Sequence, residues 1–204
     1  MAPPTCRIAL PVLLGMLIVG CGGESDRATS TTDAATTVAP PDLTRYLLQA
    51  DEVPSLEPLS SPQTDSGPPF HPLPEDGAER LERSGYVSTT YQRAQGERIG
   101  GVSTVVLFEA EAGARDWMAY ETSEKALRAQ MPNSKIKRFQ VSDVPGAQGW
   151  TGPDRHGNAI GQVYWTQGRC MMTIAIEVKG PRVEPLSAAA KSIYERTGGN
   201  CPDL

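Results

Sequence analysis

Histidine is nearly missing: His71 and His156 are the two in a chain of 204 residues. A catalytic histidine needs a nucleophile or a carboxylate within reach. His71 sits in a proline-rich stretch and His156 in a turn pattern beside Asp154, where side chains are ordinarily solvated. There is no Gly-x-Ser-x-Gly elbow, no phosphate-cradling glycine loop and no His-Glu-x-x-His pair. These absences remove the familiar hydrolase, nucleotide and zinc-protease chemistries and leave no catalytic residue, metal ligand or cofactor to assign. A basic cluster is missing as well. Nineteen Lys and Arg stand against twenty-four Asp and Glu, and Lys135, Lys137 and Arg138, or Arg80 and Arg83, are too few to form a patch. An acidic chain so patterned is not a nucleic-acid binder.

Long hydrophobic runs are scarce. Residues 8–19 form an apolar stretch of twelve, the length of a signal-peptide core and too short to span a bilayer. Arg7 and the amino terminus place positive charge before it. The stretch ends in Ile18-Val19-Gly20-Cys21, which resembles the bacterial lipobox. In that motif a small residue precedes a thiol that takes a diacylglyceryl group, and cleavage leaves the cysteine as the new N-terminus. Residues 1–20 therefore read as a signal peptide and Cys21 as the lipidation site. The alternatives are an uncleaved membrane segment or an ordinary cleavage nearby. Two or three acyl chains, at about 0.8 kcal/mol per buried methylene, would hold the chain to the membrane. The location expected is the extracytoplasmic side of the cell membrane. Losing Arg7 takes the formal net charge from −5 to about −6.

Four cysteines are present. Cys6 leaves with the signal peptide and Cys21 carries lipid, so Cys170 and Cys201 remain as a pair. Outside the cytoplasm they would form a disulfide, closing a loop of about 30 residues that contributes roughly 3–4 kcal/mol. Zinc ligation and two free thiols are the alternatives, and two cysteines with two distant histidines lack the usual zinc spacing.

Residues 22–41 are Gly, Ser, Thr, Ala, Asp and Pro with almost no large apolar side chain. Such a segment cannot offset its ordering entropy; it reads as a disordered tether spanning roughly 25 Å. Residues 42–204 then suit a single domain.

Within it, Asp42 caps a helix carrying Leu43, Tyr46, Leu47 and Leu48. Residues 54–77 are a long loop, either a lid or disordered. Strands are expected at 85–93, 101–108, 136–141, 147–151, 157–166 and 169–178. A helix is expected at 110–129, with Gly113, Trp117, Tyr120 and Leu127 along one stripe. A last helix opens at Pro185 and stops at Gly198-Gly199. The fold class predicted is α+β, an antiparallel or mixed sheet of about five or six strands covered on one face by two helices. Among the aromatics, Trp117, Trp150, Trp165 and Tyr120 are candidates to line a ligand pocket; the plainer reading makes them core.

Several stretches resemble a family of exported bacterial lipoprotein domains of actinobacterial type and unknown function. They are Tyr46-Leu47-Leu48-Gln49-Ala50-Asp51-Glu52-Val53-Pro54, Val105-Val106-Leu107-Phe108-Glu109-Ala110-Glu111-Ala112-Gly113-Ala114, Val144-Pro145-Gly146-Ala147, and Gln162-Val163-Tyr164-Trp165-Thr166-Gln167-Gly168. The resemblance covers roughly 43–197 and brings no active site with it. The chain is also distantly similar to the extracellular sensor domains of mycobacterial kinases, which tend to carry two disulfides where this chain has cysteines for one. Together these readings imply a membrane-anchored ligand-binding or sensing module for an unknown envelope ligand. A protein–protein accessory of a membrane complex is the alternative, and a hydrolase with an unorthodox site a third.

Overall fold

The computed structural model describes residues 41–49, 51–53, 60–66, 73, 75–95, 100–130, 135–153, 159–178 and 183–203. Contacts divide the chain into two units, Met1–Val38 and Ala39–Leu204, and the described residues all belong to the second. The expected signal peptide, Cys21, residues 22–40 of the expected tether, His71 and His156 lie outside them.

Seven strands form one sheet: β1 (Gln63–Asp65), β2 (Tyr86–Gln95), β3 (Gly100–Phe108), β4 (Lys137–Gln140), β5 (Gln148–Pro153), β6 (Ala159–Gln167) and β7 (Cys170–Val178). Their spatial order is β1-β2-β3-β7-β6-β5-β4, antiparallel throughout. Two meanders, β1 to β3 and β4 to β7, thus lie side by side. They join where β3 pairs with β7, from Gly100↔Glu177 to Leu107↔Cys170. Among the described residues there are four helices: α1 (Gly77–Arg83), α2 (Glu111–Glu121), α3 (Glu124–Gln130) and α4 (Glu184–Thr197).

The sequence reading undercounted strands and helices and misplaced the cover. The helices lie on both faces of the sheet. One core holds Val105, Leu107, Val163, Trp165, Met172 and Ile174 under Leu186, Ala189, Ala190 and Ile193 of α4, with Leu43, Tyr46, Leu47 and Leu48 alongside. The other holds Val106, Phe108, Tyr164, Met171 and Trp150 under Ala114, Trp117 and Met118 of α2, with Leu81 of α1 and Leu127 of α3. Successive strand residues point to opposite faces, so Val105-Val106-Leu107-Phe108 must bury on both. An apolar run without alternation is the mark of a doubly covered strand.

Three further corrections follow from local chemistry. The helix expected after Asp42 is only a 3₁₀ turn at Thr44–Tyr46. Its N-cap is Leu43, not the Asp42 expected from sequence; Asp42 stands one residue earlier, its carboxylate accepting from the Thr44 amide at 2.9 Å. Tyr46, Leu47 and Leu48 are all buried, and an α-helix turning about 100° per residue cannot bury three in a row on one face. The helix expected at 110–129 is broken at Thr122-Ser123, where Ser123 Oγ accepts from the Ala126 amide at 3.2 Å and starts α3. The loop expected at 54–77 contains β1, an edge strand paired with β2 through Gln63↔Tyr91 and Asp65↔Thr89. It is followed by α1, which begins at Gly77 and was not foreseen. Residues 54–59, 67–72 and 74 of that loop lie outside the described residues.

The last helix forms as read. Pro185 lies in its first turn, and Gly198 ends it in the left-handed region at φ 65°. Its seat on the sheet depends on Gly161 of β6, where a Cβ would stand 2.3 Å from Leu186 Cδ1. Arg196 of α4 ties the N-terminal segment down, bonding the Leu47 carbonyl at 3.0 Å and the Glu52 carboxylate at 2.7 Å.

Candidate functional site

Helix α2 covers only part of its face of the sheet. Trp117 closes over Val106, Tyr164 and Met171. Beyond it, same-face residues of the three central strands lie next to one another: Val102 opposite Ala175, Thr104 opposite Thr173, and Ala175 in turn opposite Gln162. Val102, Thr173, Ala175 and Gln162 are half-buried. This shelf is the floor of a cavity of about 80 Å³, walled by Trp117 and Glu121 of α2, Gln130 of α3 and Tyr164 of β6.

The wall is polar and organised. Glu121 is 1 % exposed, and its Oε2 accepts from Gln130 Nε2 at 3.2 Å. Gln162 Oε1 accepts from Trp150 Nε1 at 2.9 Å and from the Tyr164 hydroxyl at 3.2 Å. Gln162 Nε2 reaches Gln130 Oε1 at 3.5 Å, which links the two groups. Burial, reinforced by the nearby Glu121 charge, pushes the Tyr164 hydroxyl well above its ordinary pKa, so it stays a protonated donor. The Trp150 and Tyr164 rings stack at 4.7 Å and fix the network from behind. Trp117 Nε1 is buried with no hydrogen-bond acceptor among the described residues.

The four aromatics singled out from sequence do not form one site. Trp165 belongs to the opposite face, packed in the core beneath α4. Tyr120 is turned toward α1: its hydroxyl donates to Asp76 Oδ1 at 3.1 Å, and the Arg80 guanidinium lies 5.1 Å from its ring. Trp150 touches the cavity only through Gln162, and Trp117 lines it directly. The sequence reading missed Glu121, Gln130 and Gln162. One signal was there: Glu121 follows Trp117 by four residues, which sets a carboxylate on the buried stripe of α2.

A second concavity, about 650 Å³, runs along the β4 edge, lined by Arg138, Phe139, Val141, Val144 and Trp150 among others. Cys170 and Cys201 are joined, with Cα atoms 5.6 Å apart. Beside the bridge, Arg169 holds the Pro202 carbonyl at 3.0 and 2.7 Å. Among the described residues no group of three or more His, Cys, Asp or Glu is placed to hold a metal ion. No described helix is long and apolar enough to cross a membrane.

Fold and site together define an antiparallel sheet with helices on both faces and a small polar pocket on the half-open face. No protein-family model and no curated protein matches the chain. Among solved structures, the extracellular domain of PknH from Mycobacterium tuberculosis has a similar fold. It is 17% identical with a TM-score of 0.53, over 75% of this chain and 93% of that one. An uncharacterised protein from Mycobacterium smegmatis aligns with a TM-score of 0.39 at 9% identity, over 72% of this chain and 89% of its own.

Proposed function

We propose that this chain is a lipoprotein anchored through Cys21 at the extracytoplasmic side of the membrane, and that residues 42–204 are a non-catalytic ligand-binding or sensing module. The observation that carries the binding reading is the pocket under α2. A pre-formed concavity with converging polar groups on an otherwise apolar sheet is what a small-ligand site requires. Its volume is well below that of a typical drug-sized site, so it suits the tip of a ligand whose remainder lies on the half-buried shelf. The likeness of fold to an extracellular domain and the Cys170–Cys201 bridge both support a place outside the cytoplasm.

The test uses the full chain in detergent, screened by thermal shift against envelope lipids, glycans and peptides. A true ligand at about 100 times its Kd contributes about 2.7 kcal/mol to stability. The variant Ala175→Trp, which fills the shelf, should erase that shift while its own melting remains cooperative. Flat curves across the whole screen, or a shift that survives Ala175→Trp, would overturn this site.

The second reading, a protein–protein accessory, is favoured by the groove beside β4. That strand is a sheet edge, and its outward backbone groups can take an added strand. A photo-crosslinker at exposed Gln140 should then trap one discrete partner in intact cells; labelling of abundant bystanders alone counts against it.

A further inference from the structure

The chemistry of the β4 edge selects what docks there, and this step rests on the second reading above, in which that edge takes an added strand. We infer that β4 receives an extended, acidic segment of a partner protein, with carboxylates at neighbouring positions beside one apolar side chain.

Three observations converge. The first is hydrogen bonding. Among the described residues β4 pairs with β5 alone, so its other side presents backbone donors and acceptors for one more strand. The second is charge. Lys135, Lys137 and Arg138 are exposed, and among the described residues none of them has an acidic partner. Asp143, in the turn after β4, is held by Lys191 of α4 at 3.1 Å. Three unpaired cations thus gather on one edge of a chain whose formal net charge is −5. Side chains alternate along a strand, so Lys137 shares a face with Phe139 and Arg138 with Gln140. Residues of an added strand stand opposite these on the same faces, and successive carboxylates meet Arg138 and Lys137. A second copy of this chain fits poorly, because β4 against β4 brings the same cations onto one ladder. Lysine on a sheet edge guards it against neutral strands; an acidic strand turns that guard into a selector. The third observation is shape. Arg138, Phe139 and Gln140 are consecutive and all line the concavity of about 650 Å³, so it follows the strand's edge and not one face. Phe139 lies back on Gly149, where a Cβ would stand 2.4 Å from its ring. Phe139 and Ala147 remain half-buried beside it, a seat for the partner's apolar side chain. An anionic lipid surface would meet the cations but leave the backbone edge and this apolar wall unused.

The full chain, labelled with ¹⁵N and held in an uncharged detergent, supplies the test. The probes are two short capped peptides. One is centred on Val-Glu-Glu-Thr-Glu, which run antiparallel to β4 sets its valine opposite Phe139 and its first two glutamates opposite Arg138 and Lys137. The other has glutamine at every glutamate. The glutamate peptide should slow amide exchange at residues 137–140. It should also bind about tenfold more tightly than the glutamine peptide at low salt, since each exposed ion pair contributes a factor of up to about five. That margin should shrink as salt rises from about 0.05 to about 0.5 M. Lys137→Gln with Arg138→Gln should remove most of the margin and leave the glutamine peptide's affinity unchanged. Lys137→Glu with Arg138→Glu should reverse the preference toward a peptide with lysine at the glutamate positions, a gain that a folding defect cannot produce. Equal affinity and equal protection by the glutamate and glutamine peptides would overturn the acidic class and leave the added strand standing. If neither peptide slows exchange at β4, both fall. If phosphatidylglycerol added to the micelles shifts residues 135–138 while neither peptide protects β4, the edge is a membrane-facing patch and both fall again.

Discussion

Gly113 sits where α2 passes the turn between α1 and β2, and a Cβ there would stand 1.9 Å from the Ser84 carbonyl oxygen. Two effects of Gly113→Ala oppose each other. Helix propensity favours alanine by about 1 kcal/mol, whereas forcing backbone against backbone costs more than a flexible side chain would. The clash wins, and the variant should lose about 1–3 kcal/mol in urea unfolding. Gly100→Ala, with open space around it, is the control and should change little. Tyr120 gives a second prediction. Burial, followed by the bond to Asp76 and its charge, pushes this hydroxyl up from 10.0 to about 12. The folded chain thus keeps a proton that the unfolded chain gives up. Stability from this group is complete below about pH 10 and is lost as pH rises through about 12. The urea midpoint should decline across that window, and Tyr120→Phe should flatten part of the decline. What could be read at this scale was chemical identity: two cysteines left over to pair, as Cys170 and Cys201 do. What could not was Glu121, since a carboxylate looks the same in sequence whether it faces water or a cavity.

At the level of elements, hairpins were readable because β-branched runs bounded by glycine and proline leave little choice. The 3₁₀ turn, the break at Thr122-Ser123 and β1 were not. The turn and the break go with short polar bonds, Asp42 to Thr44 and Ser123 to Ala126, that compete with a continuous helix, whereas β1 depends on a partner distant in sequence. All three residues of β1 are exposed, so no hydrophobic pattern announces it; its evidence is a ladder with β2 and the Thr64–Thr90 hydroxyl contact at 2.9 Å. The misassigned cover has the same origin, since periodicity says that both sides of β3 are apolar but not which helix reaches which side. The disulfide belongs to this scale too. It ties the start of β7 to the chain after α4 over 31 residues. Reduction should cost about 3–4 kcal/mol and lower the thermal midpoint by roughly 6–16 °C. The tail should stay docked at room temperature, because the two bonds from Arg169 to Pro202 do not depend on the bridge. Differential scanning of oxidised and reduced chain, with circular dichroism at 25 °C, reads both.

For the whole molecule, the proposed reading is a binding domain on a leash. The proposed lipid at Cys21 and the low-complexity stretch after it would keep the pocket close to the envelope without fixing its orientation, which raises its local concentration over tethered ligands. Labelled palmitate should enter the chain in vivo, and Cys21→Ala should abolish labelling and move the protein out of the membrane fraction. Unchanged labelling in that variant would refute the anchor. A sheet sandwiched between two greasy layers has a further consequence for how the chain tolerates change. In a sheet with one wet side, sliding a strand by one position throws apolar groups into water and is forbidden at once. Here a slipped β3 would merely trade Val105 and Leu107 for Val106 and Phe108. Alignment of the central strands is therefore policed by fit: whether a phenyl ring fills the hollow left for an isobutyl group. Single-residue insertions in β3 or β7 should yield compact but loosely packed chains, while the same insertion in a hairpin tip should pass unnoticed.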